Sequence, residues 1–213
     1  MPSTLVHVAV GGLVGAALLG DRFTPKAIAV VLVAAVVPDL DSFLAPLFAG
    51  AHRSALHTLL LPAVLGAAVY VDARVLDRSR LRKRWGPDAP YVAGVAVAAL
   101  LAGGILPDIV TNGANVLWPV HDQFYTVDGE LKLSTREGLV QTFVDLSPTP
   151  AESTRPSSTD NTRYSTGADP TPWQEDDRPP ERVFPVVSAG WQLMLVGLAT
   201  VTVGVRSWQT WDS

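Results

Sequence analysis

Two short motifs place carboxylates and imidazoles close together at the ends of apolar segments. The first is PDLD at Pro38–Asp41, and the second is HRSALH, which begins eleven residues later at His52. Mixed imidazole and carboxylate ligands are typical of sites for zinc, manganese or iron. The alternative is that these groups are solvated residues at helix ends, although ionisable groups at membrane depth are often functional. A metal site is therefore the first hypothesis that the sequence suggests.

The spacing within each motif favours a particular local structure. Pro38 cannot donate a backbone hydrogen bond and ends or kinks a helix, so we expect the PDLD segment to be extended. Side chains two residues apart in an extended chain point the same way, so Asp39 and Asp41 can face one ion. His52 and His57 are five residues apart, which is poor for chelation from one helix. We therefore expect His52 in a loop and His57 at the start of a helix.

Three further polar residues lie near the ends of apolar segments or inside the second motif. His7 is near the start of the first segment, Asp108 follows the fourth, and Arg53 lies beside His52. Each has a structural explanation. His7 can be a packed, hydrogen-bonded histidine, and Asp108 can cap a helix, while Arg53 can pair with the aspartates of the first motif. The functional alternative is metal ligation for His7 and Asp108, and binding of an anionic substrate group for Arg53.

The composition is that of a multi-pass membrane protein. Of the 213 residues, 48% are hydrophobic and 17% are charged, and the mean hydropathy is +0.25. We predict an all-α helical bundle with four or five membrane spans. The apolar segments that support this prediction are Leu5–Gly20, Ala27–Val37, Ala55–Val71, Ala89–Pro107 and Val183–Val205. The absence of cysteine excludes thiolate ligands, and the acidic, lysine-poor composition resembles that of proteins from salt-adapted (halophilic) organisms.

Basic residues predict the orientation of the chain in the membrane. Arg22 and Lys26 lie between the first two apolar segments, and a larger basic group lies between the third and fourth. The larger group consists of Arg74, Arg78, Arg80, Arg82, Lys83 and Arg84. Short loops rich in Lys and Arg stay in the cytoplasm, so we expect the N-terminus and the loop 108–182 outside and the C-terminus inside. The polar ends of four segments, with both motifs, then meet at the outer membrane face.

The remainder of the chain is expected to have a different character from the membrane core. We divide the chain into a membrane-embedded core (1–120), an extracytoplasmic hairpin and short helix (121–146), a disordered acidic loop (147–182) and a C-terminal transmembrane helix with its tail (183–213). Gln123–Val127 and Leu131–Ser134 flank Asp-Gly-Glu, which favours pairing of these two segments. The apolar spacing of Arg136–Leu146 favours a helix. His121 is expected to be a surface residue.

These residues resemble a known family, the membrane-bound metal-dependent hydrolases of the YdjM type. The resemblance rests on His7 in a glycine-rich first helix, on PDLD, on HRSALHT at His52–Thr58 and on PDIVTNGANVLWP at Pro107–Pro119, and it covers about residues 1–120. It implies hydrolysis, of a phosphoester by distant similarity to zinc-dependent phospholipases C and related nucleases. It also implies a bound divalent metal, with zinc first and manganese or iron as alternatives. The ligands implied are His7, Asp39, Asp41, His52, His57 and Asp108.

One family feature is missing from this chain. The family usually has a histidine four residues before the helix-end aspartate, where the two would face one ion, but this chain has Gly104 at that position. We therefore expect one metal rather than two.

The functional hypothesis is a hydrolase whose site opens at the outer membrane face. Asp39 or Asp41 would accept a proton from water, and Arg53 would bind substrate. Its partners would be membrane lipid and a phosphoester or lipid-linked substrate, and we expect no nucleic-acid partner. The alternative is a non-catalytic membrane protein, either transporter-like with bound ions or protons, or structural with a degenerate metal site.

Overall fold

The computed structural model describes residues 3–48, 50–136, 138–143, 157–164, 166–170 and 182–211 of a mostly helical chain. Seven α-helices and one two-stranded sheet occur in these residues. The helices are α1 (Thr4–Leu18), α2 (Pro25–Val36), α3 (Leu60–Tyr70), α4 (Arg80–Trp85), α5 (Ala89–Ala99), α6 (Leu106–Ile109) and α7 (Gly190–Gln209). The strands are β1 (Leu131–Ser134) and β2 (Gly138–Gln141).

Three helices continue in a different helical form, and this lengthens them. A 3₁₀-helix at Val37–Leu44 follows α2, a π-helix at Val71–Val75 follows α3, and a π-helix at Leu100–Ile105 joins α5 to α6. Two of the resulting segments are long and apolar enough to cross a membrane, Pro25–Leu44 with 20 residues and Ala89–Ile109 with 21. Helix α1 is apolar but shorter.

Small residues let the helices approach closely around α1, which packs against α2, α5, the π-helix after α5, and α7. An added Cβ at Gly11 would lie 2.5 Å from the Ala35 Cβ, so α1 and α2 are almost in backbone contact there. A Cβ at Gly103 would lie 2.8 Å from the Gly11 backbone nitrogen. Close approach through small residues is the usual way in which helices associate in lipid.

The apolar side chains divide between the interior of the bundle and its outer surface. Leu19, Phe23 and Val31 are among the buried residues of a core cluster formed by α1, α2 and α5. Large apolar side chains such as Val33 on α2 and Met194 on α7 are exposed on the outside of the bundle. An exposed apolar helix surface is expected where helices contact lipid.

The hairpin differs from the prediction. Strand β1 pairs antiparallel with β2, with Leu131 opposite Gln141 and Ser134 opposite Gly138. The predicted pairing of β1 with Gln123–Val127 is therefore wrong, and so is a helix over Arg136–Leu146. Gly138 has a positive φ of 72°, which suits a tight turn and disfavours a helix. Tyr125 instead forms an isolated antiparallel bridge with Ala114.

The last helix and the acidic loop also differ from the expectation. Helix α7 begins at Gly190 rather than Val183, because Pro185 is incompatible with a helix interior, and it ends at Gln209. Of the loop predicted to be disordered, residues 157–164 and 166–170 are described and make hydrogen bonds to the rest of the chain. The other residues of that loop, up to Glu181, lie outside the described residues.

We predict that Gly103→Ala lowers the thermal stability of the purified protein. The new methyl group would meet the α1 backbone at Gly11, and overpacking of this kind costs about 1–3 kcal/mol. Thermal unfolding in detergent measures the loss. Gly94→Ala in α5 is the matched control, because a Cβ there meets no atom within 4 Å and alanine favours the helix. Equal unfolding temperatures for Gly103→Ala and the parent would contradict close packing at this contact.

Candidate metal centre

Four segments bring the predicted site residues to one end of the bundle. They are the start of α1, the 3₁₀-helix after α2, the turns that precede α3, and α6. The PDLD motif is not extended, since Val37–Leu44 is a 3₁₀-helix. In a helix with three residues per turn, side chains two positions apart point in directions about 120° apart around the axis. Asp39 and Asp41 therefore face different directions, and the prediction that they face one ion is wrong.

One group of side chains, which we call the four-residue cluster, consists of His7, Asp39, His57 and Asp108. His7 Nε2 lies 3.5 Å from Asp39 Oδ1 and 3.9 Å from Asp108 Oδ1. His57 Nε2 lies 3.8 Å from Asp39 Oδ1 and 2.7 Å from Asp108 Oδ2. Both imidazoles are buried, as is Asp108, while Asp39 is 17% exposed. His7, Asp39 and Asp108 are thus close enough together to hold one ion, and His57 lies within 4 Å of both carboxylates.

The other nitrogen of each imidazole is held by a hydrogen bond, and this orients the ring. His7 Nδ1 donates to the Gly103 carbonyl oxygen at 2.7 Å, so its Nε2 carries the free lone pair. His57 Nδ1 lies 2.8 Å from Asp41 Oδ2. His57 Nε2 is buried and lies 2.7 Å from Asp108 Oδ2, so the ring is held between two carboxylates. Metal-binding histidines are commonly oriented in this way, by a carbonyl or a carboxylate on the opposite nitrogen.

The geometry and charge of the cluster fit a divalent cation. Ligands about 2.0–2.1 Å from a tetrahedral zinc ion are about 3.3 Å apart, and the four measured distances lie on both sides of that value. Asp39, Asp41 and Asp108 carry three negative charges, whereas Arg53 supplies one positive charge. His57 lies 2.8 and 2.7 Å from carboxylate oxygens of Asp41 and Asp108 and can carry a second positive charge as an imidazolium. The carboxylates thus exceed the cations by one or two charges, which is costly in a buried site, and a divalent ion would offset this excess.

Asp41 lies outside the four-residue cluster and accepts hydrogen bonds from two histidines. Its Oδ1 accepts a hydrogen bond from His52 Nδ1 at 2.7 Å, and its Oδ2 accepts from His57 Nδ1 and from the Leu56 backbone at 3.3 Å. Asp41 is completely buried. Asp41, His52 and His57 are close enough to hold a second ion. Because hydrogen bonds among them already satisfy these atoms, the arrangement favours a supporting role.

Arg53 pairs with Asp108 and not with Asp39 or Asp41, which corrects the pairing expected from the sequence. Its Nη2 donates to Asp108 Oδ1 at 2.8 Å, and its Nη1 donates to the Gly113 carbonyl at 3.1 Å. The residue is buried and has a positive φ of 65°, an uncommon conformation for a side chain of this size. The salt bridge leaves Asp108 Oδ2 directed towards His57.

Two supporting residues were not singled out from the sequence. Thr4 Oγ1 donates to Asp39 Oδ2 at 2.5 Å, and Thr4 lies on the same face of α1 as His7 three residues later. Asn115 is completely buried, and its backbone N–H donates to the Arg53 carbonyl at 2.8 Å, which holds the turn around Arg53. Thr4 could have been found from its helical spacing to His7. Asn115 could have been found from its position within PDIVTNGANVLWP, one of the motifs that carry the family resemblance.

A cavity of about 480 Å³ borders the cluster. Asp39, His52, Arg53 and Asp108 lie along its polar side. Apolar residues form much of the remaining wall, among them Leu5, Leu40, Phe43, Val183, Phe184 and Val186. This combination suits a ligand with a charged head and an apolar body.

Two positions considered from the sequence do not supply ligands. His121 is exposed as predicted, and its Nε2 lies 3.2 Å from Gln123 Oε1. At Gly104, an added Cβ would lie 2.7 Å from Pro38 Cγ and 2.8 Å from the Ala35 carbonyl oxygen. A histidine cannot occupy this position unless the 3₁₀-helix moves. The glycine that replaces the family histidine thus serves close helix packing.

Comparison with known proteins places these residues in a family. The model of the family described as YdjM inner membrane protein matches residues 1–150, which include the whole four-residue cluster, Asp41, His52 and Arg53. No curated protein and no solved structure matches the chain. The family match covers more than half of the 213 residues and confirms the resemblance carried by the motifs. The chain belongs to the YdjM inner membrane protein family.

Proposed function

We propose that the protein is a membrane-bound metal-dependent hydrolase that acts on a phosphoester at the outer membrane face. The observation that carries the proposal is the four-residue cluster, in which the buried Nε2 atoms of His7 and His57 face the carboxylates of Asp39 and Asp108 beside a large cavity. Ionisable groups that only end helices would lie in water, whereas these converge from four segments, and His7, His57 and Asp108 are buried.

The cluster would hold one divalent ion, with zinc first and manganese or iron as alternatives. His7 and His57 would bind through Nε2, and Asp39 and Asp108 through one carboxylate oxygen each. Such an ion, when bound, lowers the pKa of a bound water and polarises an ester. Asp41 and His52 complete the set named from the sequence, and we propose that they orient His57.

The two aspartates of PDLD would then have different roles. Asp39 borders the cavity and is partly exposed, so its carboxylate can accept a proton from water next to a substrate. Asp41 is completely buried, and both of its oxygens accept hydrogen bonds from histidines. We therefore assign proton transfer to Asp39 and positioning to Asp41. Arg53 would hold Asp108 in place and bind an anionic substrate group.

The substrate would be a lipid or lipid-linked phosphoester. Apolar residues from α1, from the 3₁₀-helix and from residues 183–186 form a large part of the cavity wall beside the polar cluster. In a membrane protein this arrangement lets a lipid-like molecule keep its apolar part against protein and bilayer while its head group reaches the cluster.

The proposed topology has five spans. In addition to Pro25–Leu44 and Ala89–Ile109, the apolar helices α1, α3 and α7 would cross the membrane. The basic connection that contains α4 would be cytoplasmic, as would the C-terminus. The N-terminal end of α1 and the hairpin β1–β2 would be outside, with the four-residue cluster near the outer surface.

Cysteine labelling tests this orientation, because the natural chain contains no cysteine. Asp128→Cys and Lys83→Cys each introduce a thiol at an exposed position. A membrane-impermeant maleimide should label Asp128→Cys in intact spheroplasts and should label Lys83→Cys only after lysis. The parent chain serves as the blank. Labelling of Lys83→Cys in intact spheroplasts would put the cluster on the cytoplasmic side and reject the proposed orientation.

Metal analysis of the purified protein tests the ligands. We predict about one divalent ion per chain and a large loss in Asp39→Ala and in His57→Ala, since each change removes a ligand that nothing nearby replaces. Asp41→Ala should also lower the metal content, because it frees the His57 ring to rotate. His121→Ala is the matched control and should keep the parent content. Two tightly bound ions per chain, or unchanged content in the first two variants, would contradict the assignment.

Hydrolysis of a panel of phosphodiesters and phospholipids tests the activity. We predict turnover that is lost on chelation, restored by the divalent metal, and lowered by a factor of about 100 or more in Asp39→Asn. Metal binding without turnover of any phosphoester would instead support the non-catalytic, ion-binding alternative.

A further inference from the structure

A segment beyond the family match packs against the loop beside the site. Residues 157–164 and 166–170 follow the matched region 1–150. Asp122 anchors the segment, since its carboxylate accepts hydrogen bonds from the Thr159 hydroxyl at 2.6 Å and the Thr159 backbone at 3.1 Å. Slight burial would raise the pKa of Asp122, but the Thr159 hydrogen bonds outweigh this effect and lower the pKa. The anchor is therefore ionised at neutral pH.

Tyr164 connects this segment to Arg53. The Arg53 guanidinium carbon lies 4.7 Å from the centre of the Tyr164 ring, which is within the range of a cation–π contact. The Tyr164 hydroxyl donates to the Asn112 carbonyl oxygen at 2.6 Å. The ring also packs against Phe124, with the two centroids 5.4 Å apart. The segment thus covers one side of the guanidinium that holds Asp108.

The residues after Tyr164 form part of the cavity wall. Thr166, Gly167 and Ala168 all border the cavity that the four-residue cluster borders. Arg182 Nη1 donates to the carbonyl oxygens of Gly167 and Asp169, each at 2.8 Å. Hydrogen bonds therefore join Arg182 to the segment at 166–170 beside the cavity.

Two buried polar atoms on residues of this cavity lack a partner. Thr166 Oγ1 and Arg53 Nε are both inaccessible and have no hydrogen-bond partner among the described residues. An unpaired buried polar group costs about 1–3 kcal/mol. Both can donate a hydrogen bond, and one of them belongs to a cation. Both residues line the same cavity, and each atom could donate to an anionic oxygen bound there.

We infer that Thr166 and Arg53 bind a phosphoryl oxygen of an amphiphilic phosphoester, and that residues 157–164 and 166–170 position Thr166 as a specificity-determining residue. The inference rests on the proposed function for the identity of the substrate. Arginine is well suited to phosphate because its planar fork of N–H donors matches the oxygens. The apolar wall near Thr166, which includes Val183 and Phe184, would receive the chain attached to the phosphoryl group.

Binding of hexylphosphonate to the full chain in nanodiscs tests the inference. The probe carries an anionic head and an apolar chain, and its carbon–phosphorus bond resists hydrolysis. Thr166→Val keeps the shape of the side chain and removes the hydroxyl, so we expect affinity to fall about tenfold while metal content stays at the parent level. Thr166→Ser restores a hydroxyl and should bind nearly as the parent does.

Thr162→Val is the matched control, since it makes the same change in the same segment at a residue that does not border the cavity. Equal affinity of parent and Thr166→Val, or no binding to the parent, would overturn the inference. Metal content and turnover separate this result from the proposed function. Metal-free, inactive protein that still binds the probe and loses affinity in Thr166→Val would uphold the phosphoryl site while rejecting the hydrolase.

Discussion

The hydrogen bond from His7 to the Gly103 carbonyl joins helix packing to the chemistry of the site. It forms because the α1 backbone passes so near Gly103 that no side chain fits between them. The same approach fixes the imidazole tautomer and directs Nε2 towards Asp39 and Asp108. In lipid, burying apolar side chains between helices contributes little free energy, so close packing of small residues is what holds the helices together. The small residues of the bundle are therefore part of the site's construction.

Charge is the second constraint on this end of the bundle. Three carboxylates are gathered there, and the Arg53 guanidinium compensates one of them. The arrangement tolerates this because each carboxylate has a donor of its own: Thr4 for Asp39, two histidines for Asp41, and Arg53 for Asp108. These donors hold every carboxylate in one orientation. A site prepared in this way loses little entropy when a cation or an anionic head group enters it.

Much of the bundle could be predicted from the sequence, because apolar segment length and polar residues at their ends are properties of single segments. The grouping of the four cluster side chains could not be predicted. It depends on PDLD being 3₁₀-helical, and a proline motif at a helix end does not distinguish that form from an extended chain. The hairpin was missed for a similar reason, since Asp-Gly at 128–129 gave the expected turn signal and Gly138 provides the observed one. The partner of Arg53 could not be predicted either, because it is Asp108, which is remote in sequence.

The side chains of the cluster come from four segments that are far apart along the chain. No single helix contains the cluster, so it can form only after these segments have been inserted and have packed together. An ion bound there would join the start of the chain to its middle and would resist separation of the helices in the way that a covalent cross-link does. Loading of such an ion would then be the last step of assembly. Until that step only hydrogen bonds and the Arg53 salt bridge would hold Asp39 and Asp108 together, at the end of the bundle where a substrate would enter.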